Sequence, residues 1–167
     1  NFDIMNTIGE RVTSVREKKG KELAVDLFKA IEESEGNDIS SINDILNQLK
    51  AERMHGIDIN NYRLNLELYT EDGPQGVEPA DIVTPDSEDW AKGLSPIHFL
   101  IWCLQDIPVT NQDKILFSLL MHGSKVAGAG GASGRWKFAA LEDIQMYCDE
   151  PEEIEVVKNM INYLKMA

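Results

Sequence analysis

The stretch Ser95-Pro96-Ile97-His98-Phe99-Leu100-Ile101-Trp102-Cys103-Leu104 decides the fold class. Ser followed by Pro is a helix start: the hydroxyl can accept from an orphan backbone N–H, and proline at the first helical position gives up a donor that has no partner there anyway. Ile97 to Leu104 is then apolar on every side except at His98. A helix without a polar face must be surrounded by other elements. The expectation is a mainly α (α+β) fold, with about six helices around this central apolar helix and a small two- or three-stranded sheet.

Downstream, Pro108 closes the central segment, and Thr110 with Asp113 opens a helix that runs through Ile115, Leu116, Phe117, Leu119 and Leu120 to His122-Gly123. The spacing predicts a short helix over 139–148. A last helix follows Pro151, with Glu152, Glu153 and Glu155 in its first turn and Lys165 near its end, the order that suits the helix dipole.

Upstream, Ile4, Ile8, Val12 and Val15 form one apolar stripe at helical spacing, and Leu23, Leu27, Ala30 and Ile31 form another. The polar run Arg16-Glu17-Lys18-Lys19-Gly20-Lys21-Glu22 lies between them. Because the stripes stay roughly in phase, one long helix with a solvated middle is expected, ending before Gly36-Asn37-Asp38. Ser41 with Asp44 resembles a capping box. Ile42, Ile45, Leu46 and Leu49 continue that helix, and His55-Gly56 stops it.

The period changes at 62–70, where Tyr62, Leu64, Leu66, Leu68 and Thr70 alternate with Arg63, Asn65, Glu67 and Tyr69. Alternation predicts a half-buried strand. Its backbone needs a partner, with Ile57–Ile59, Asp81–Thr84 and Arg135–Phe138 as the candidates. Residues 71–89 read as a long loop punctuated by Gly73-Pro74, Gly76, Pro79 and Pro85. Loops beyond about 12–15 residues are usually functional or disordered.

The chain has 167 residues and a formal net charge of −13. This length is expected to make one domain over 1–167, with an N-terminal helical part at 1–56. Residues 1–56 carry 11 acids and 8 bases, residues 57–113 carry 11 acids and 2 bases, and residues 114–167 carry 7 acids and 6 bases. Most of the excess charge therefore sits in the middle third. This balance argues against direct nucleic-acid binding, which needs clustered positive charge. The longest apolar run is far short of the roughly 18 residues of a spanning helix, so no membrane segment is expected. Cys103 and Cys148 have no metal spacing and read as reduced core thiols of a cytoplasmic protein.

The candidate chemistry is sparse. His55, His98 and His122 form no ligand pair, His98 reads as a hydrogen-bonded core histidine, and His122 reads as a helix C-cap. No catalytic residue, cofactor or metal site is expected. The Gly-rich run 123–134, with Lys125, Gly128, Gly130 and Gly131 and with Arg135 directly after it, is basic and free of acids, but its spacing matches neither the phosphate-loop nor the dinucleotide pattern. It reads as a connector first and as an anion-binding segment second. Asp72, Glu78, Asp81, Asp86, Glu88 and Asp89 are expected to form an outward acidic surface, with Trp90 as an anchor. Such a field speeds encounter with positive surfaces.

The functional expectation is a binding or inhibitor protein that docks a basic protein partner, such as a nuclease-type toxin, in the manner of an immunity protein or antitoxin. One alternative is a structural or assembly subunit of a larger complex, for instance a phage-related one. Another is a small enzyme that holds a phosphorylated ligand at the Gly-rich run.

Overall fold

Ser95 caps the central helix as its position predicts: its Oγ accepts from the His98 N–H at 3.3 Å, and Pro96 occupies the first helical position. The computed structural model describes residues 2–33, 39–71, 76–105, 110–126, 136–151 and 154–167, with backbone alone at 2, 10, 12–14 and 136–139. Among them are seven α-helices: α1 (Phe2–Glu32), α2 (Ser40–Glu52), α3 (Leu66–Glu71), α4 (Pro96–Trp102), α5 (Gln112–Met121), α6 (Trp136–Tyr147) and α7 (Glu155–Met166). Two short strands, β1 (Arg63–Leu64) and β2 (Ile82–Val83), pair antiparallel, with Arg63 opposite Val83 and Leu64 opposite Ile82. The protein is mostly helical with a small antiparallel sheet.

α4 is the hub. Pro96 to Ile101 are all buried, and the helix packs against α1, α5, α6 and β1. Its outer turn joins an aromatic cluster in which Phe99 meets Phe28 and Tyr69 edge-on, at ring separations of 5.6 and 5.5 Å, and stacks on Trp102 at 5.9 Å. Edge-to-face pairs of this kind each add roughly 0.5–1.5 kcal/mol beyond burial. α5 and α7 close the far side, joined by Asn159 donating to Asp113 at 3.0 Å and by Phe117 beside Tyr163.

The expected strand over 62–70 is corrected to two strand residues followed by a helix. Asn65 makes the difference. Its Oδ1 accepts from the Leu68 N–H, and its carbonyl accepts from the Tyr69 N–H, so α3 starts immediately after it. An Asn side chain that satisfies an orphan N–H outweighs a short alternating pattern. Leu66 and Tyr69, three apart, then face the core while Leu68 faces solvent. Of the candidate partner segments, only 81–84 contributes a strand; residues 59–61 form a 3-10 turn and residues 136–138 begin α6. Leu64 also bridges Leu94, each N–H donating to the other's carbonyl.

Other boundaries shift for local reasons. α2 begins at Ser40 with Ile39 preceding it and no side-chain cap, so Ser41 lies inside the first turn and makes no capping box. Gly56, at φ +86°, ends the following 3-10 turn in the left-handed conformation that glycine adopts without penalty. α5 starts after Asn111. The buried Gln112 accepts from the N–H groups of Thr110 and Asn111, which replaces the expected Thr110–Asp113 box. α6 starts three residues before the expected position, and α7 starts at Glu155 rather than at Pro151.

α1 is one helix of 31 residues, as the phase of its stripes predicts. Its two halves differ. From Gly20 onward its inner face joins the core through Leu23, Ala24, Leu27, Phe28 and Ile31. Before that it projects. Ile4, Met5, Ile8 and Val15 are 56–68% exposed, so these side chains are not core.

Candidate functional site

The acidic middle of the chain is organised by one buried arginine. Arg63 on β1 is 6% exposed, its guanidinium carbon lies 3.9 Å from the centroid of the Trp90 ring, and its Nη1 donates to the Trp90 carbonyl at 2.8 Å. Burial lowers the Arg63 pKa from its ordinary value, yet a guanidinium stays charged in proteins. The turn over 84–93 is wound around this contact. Ser87 N–H donates to Thr84, Trp90 N–H to Ser87, Lys92 N–H to Asp89 and Gly93 N–H to Trp90, and Asp89 N–H donates to the Ser87 hydroxyl.

This turn presents Asp86, Glu88 and Asp89 to solvent. None of the three makes an ion pair among the described residues, although Asp89 approaches Asn65 Nδ2 at 3.5 Å. The other predicted carboxylates behave differently. Asp81 is fully buried. Its Oδ2 accepts from the Glu78 N–H at 2.9 Å and its carbonyl accepts from Asn65 N–H at 2.7 Å. It braces the start of β2 and faces inward, which corrects its place in an outward surface. Glu78 is half-buried at the same turn, and Asp72 lies outside the described residues. Trp90 is half-buried against Arg63 and anchors the turn itself. The expected surface of six carboxylates therefore contracts, among the described residues, to an exposed triad.

In the Gly-rich run, Gly128, Gly130, Gly131 and Arg135 lie outside the described residues. Lys125 has an exposed side chain, and its backbone N–H donates to Asn60 Oδ1, while Asn60 Nδ2 donates to the Gly123 carbonyl. The run thus leaves α5 pinned to the 3-10 turn Ile59–Asn61.

His98 is buried with Nδ1 2.6 Å from Ser95 Oγ, and His122 ends α5 with Nδ1 against the Ser118 carbonyl and Nε2 against Asn47 Oδ1. Both are structural, as their sequence context predicts. Cys103 and Cys148 are buried and form no disulfide among the described residues. Burial, with the adjacent Asp149 charge, raises the Cys148 pKa and disfavours its thiolate. Among the described residues no group of three His, Cys, Asp or Glu is arranged to hold a metal ion. No described helix is long and apolar enough to cross a membrane.

Residues 16–22, polar on every side, are expected as a solvated stretch of helix. The structure makes them the wall of a groove of about 630 Å³, lined by Arg16, Glu17, Lys18 and Lys21 from α1 and by Tyr62, Asn61, Thr84 and Asp86 opposite. Lys19 points elsewhere and pairs with Glu52. Two glycines shape the groove. A Cβ at Gly20 would lie 1.9 Å from the Tyr62 hydroxyl, and one at Gly56 would lie 3.3 Å from Arg16 Nη1. A local signal did exist: residues 11–21 hold five bases and one acid in a chain of 16 bases and 29 acids.

Comparison of the chain with protein-family models, with curated proteins and with solved structures finds no match.

Proposed function

We propose that this is a binding protein whose braced acidic turn docks on a positively charged surface of a partner protein, in the manner of an immunity protein or antitoxin covering a nuclease-type toxin. The exposure of Asp86, Glu88 and Asp89 on a turn already ordered by the Arg63–Trp90 contact carries this reading. A loop held in its bound shape loses little entropy on association. A chain charge of −13 supplies long-range attraction to a basic target. The reading includes a cytoplasmic location, supported by two buried cysteines that are not joined in a disulfide.

The test is a pull-down with the full chain at low and high salt, using the wild type and Asp86→Asn/Glu88→Gln/Asp89→Asn. A basic protein captured at low salt should leave at high salt and fail to bind the triple variant. Retention of every captured partner by the triple variant defeats the reading.

A second reading, an assembly subunit of a larger complex, is favoured by one observation: the projecting half of α1 exposes Ile4, Met5, Ile8 and Val15. Exposed apolar side chains at helical spacing are what helix-in-groove partners bury. A rise of mass with concentration in light scattering, abolished by Ile4→Gln/Ile8→Gln, supports that reading over the first.

A further inference from the structure

The groove along α1 shares Asp86 with the acidic turn but is otherwise built from other residues, and it has the attributes of a ligand site. Its volume of about 630 Å³ falls within the ordinary range of small-molecule pockets. Arg16 and Lys18 line it from one turn of α1 and Lys21 from the next, and among the described residues none of them makes an ion pair or side-chain hydrogen bond. At the floor lies Tyr62, only 8% exposed, whose hydroxyl has no hydrogen-bond partner among the described residues. The hydroxyl ends against Gly20, where no side chain stands in its way, and its oxygen is not among the fully buried unsatisfied ones of the described residues. Gly56 similarly leaves room for the Arg16 guanidinium to lie across the backbone.

We propose that this groove binds a phosphorylated sugar, either free or as part of a nucleotide. Arg16 and Lys21 hold the phosphate, the first through its planar fork and the second as a mobile point charge. The Tyr62 hydroxyl donates to a phosphate or ring oxygen. Glu17 and Asp86, which would repel a bare anion, accept hydrogen bonds from the sugar hydroxyls. Together the two groups of charges select a ligand with an anionic end and a hydroxyl-rich body. Neither a simple anion nor a neutral sugar satisfies both. Lys125, whose backbone N–H is tied to Asn60, does not line the groove.

Calorimetric titration of the isolated full chain tests this, and because no protein partner is present its outcome is independent of the docking reading. The probes are ribose 5-phosphate, AMP, inorganic phosphate and adenosine. The expected result is saturable one-to-one binding of ribose 5-phosphate, AMP or both, with adenosine and inorganic phosphate weaker. Binding of AMP alone identifies the nucleotide as the source, and binding of both identifies the sugar phosphate itself. Arg16→Ala/Lys21→Ala should weaken binding by at least about tenfold, since each removed cation takes away a charge-assisted hydrogen bond. Tyr62→Phe should weaken it less. Lys114→Ala/Lys158→Ala, exposed lysines outside the groove, should leave it unchanged. Failure of both esters to saturate overturns the proposal. So does inorganic phosphate or adenosine binding as tightly as the esters, or an equal loss in the Lys114/Lys158 variant.

Discussion

Arg63 and Trp90, 27 residues apart, form a single unit: the guanidinium lies over the indole ring with its carbon 3.9 Å from the centroid, and Nη1 donates to the Trp90 carbonyl at 2.8 Å. One contact therefore joins the small sheet to the acidic turn and sets where Asp86, Glu88 and Asp89 stand. The cost of burying a cation is offset by this stacking and by the carbonyl.

Replacing the unit's cation by a point charge should weaken it. Arg63→Lys keeps the charge but loses the fork and the flat stack. A stability loss of about 1–3 kcal/mol is expected in urea unfolding. Trp90 emission should shift to the red as the ring gains water. An unchanged midpoint and spectrum would show that the turn is held by its own hydrogen bonds.

Gly20 should not tolerate a methyl group. Alanine is the better helix former by about 1 kcal/mol, but its Cβ would sit 1.9 Å from the Tyr62 hydroxyl and 3.3 Å from Ile57. Overpacking of this kind costs about 1–3 kcal/mol. Gly20→Ala is therefore expected to be destabilising overall, and Tyr62→Phe should recover part of the loss. A double-mutant cycle measures the coupling, and purely additive effects would refute the contact.

The two halves of α1 should respond oppositely to mutation. Ile4→Gln/Ile8→Gln should change stability by no more than about 0.5 kcal/mol, as at ordinary exposed sites. Leu27→Ala, at a side chain only 1% exposed, should cost about 2–5 kcal/mol. Comparable losses in the two variants would mean that the first half of α1 packs on the protein.

Stability should fall as pH rises above the carboxylate range. Burial raises the pKa of Glu32 above 4.5, reinforced by the Glu33 charge and opposed by the Val77 N–H. Burial also raises the pKa of Asp143 above 3.8, reinforced by Glu142. A group with a raised folded pKa binds its proton more tightly when folded. Its contribution is thus complete below the unfolded value and lost as pH climbs through the folded one. Glu52, lowered by its Lys19 partner, works in the other direction. Urea midpoints measured from pH 4 upward should decline, and Glu32→Gln/Asp143→Asn should flatten the decline. An identical slope in that variant would assign the effect to general repulsion among acids.

What the sequence determined by itself is local. The cap at Ser95-Pro96, the all-apolar run after it, the in-phase stripes of α1, the glycine stop at 56 and the roles of His98 and His122 each depend on residues within a few positions of one another. Helix initiation, termination and burial pattern are encoded at that range. The Asn65 cap that makes residues 66–71 helical is local too, three residues long, and the alternating pattern over 62–70 hides it. The tertiary structure decided what lies between distant segments. The long-range Asn65–Asp81 backbone contact is what places Asp81 inward at the start of β2. Tertiary structure also left Ile4, Ile8 and Val15 of α1 in solvent and assembled a groove from residues 16–21, 56–62 and 84–86. Periodicity shows that a helix has an apolar face but not whether anything arrives to cover it, because that depends on chain segments folding back from 35 to 70 residues away.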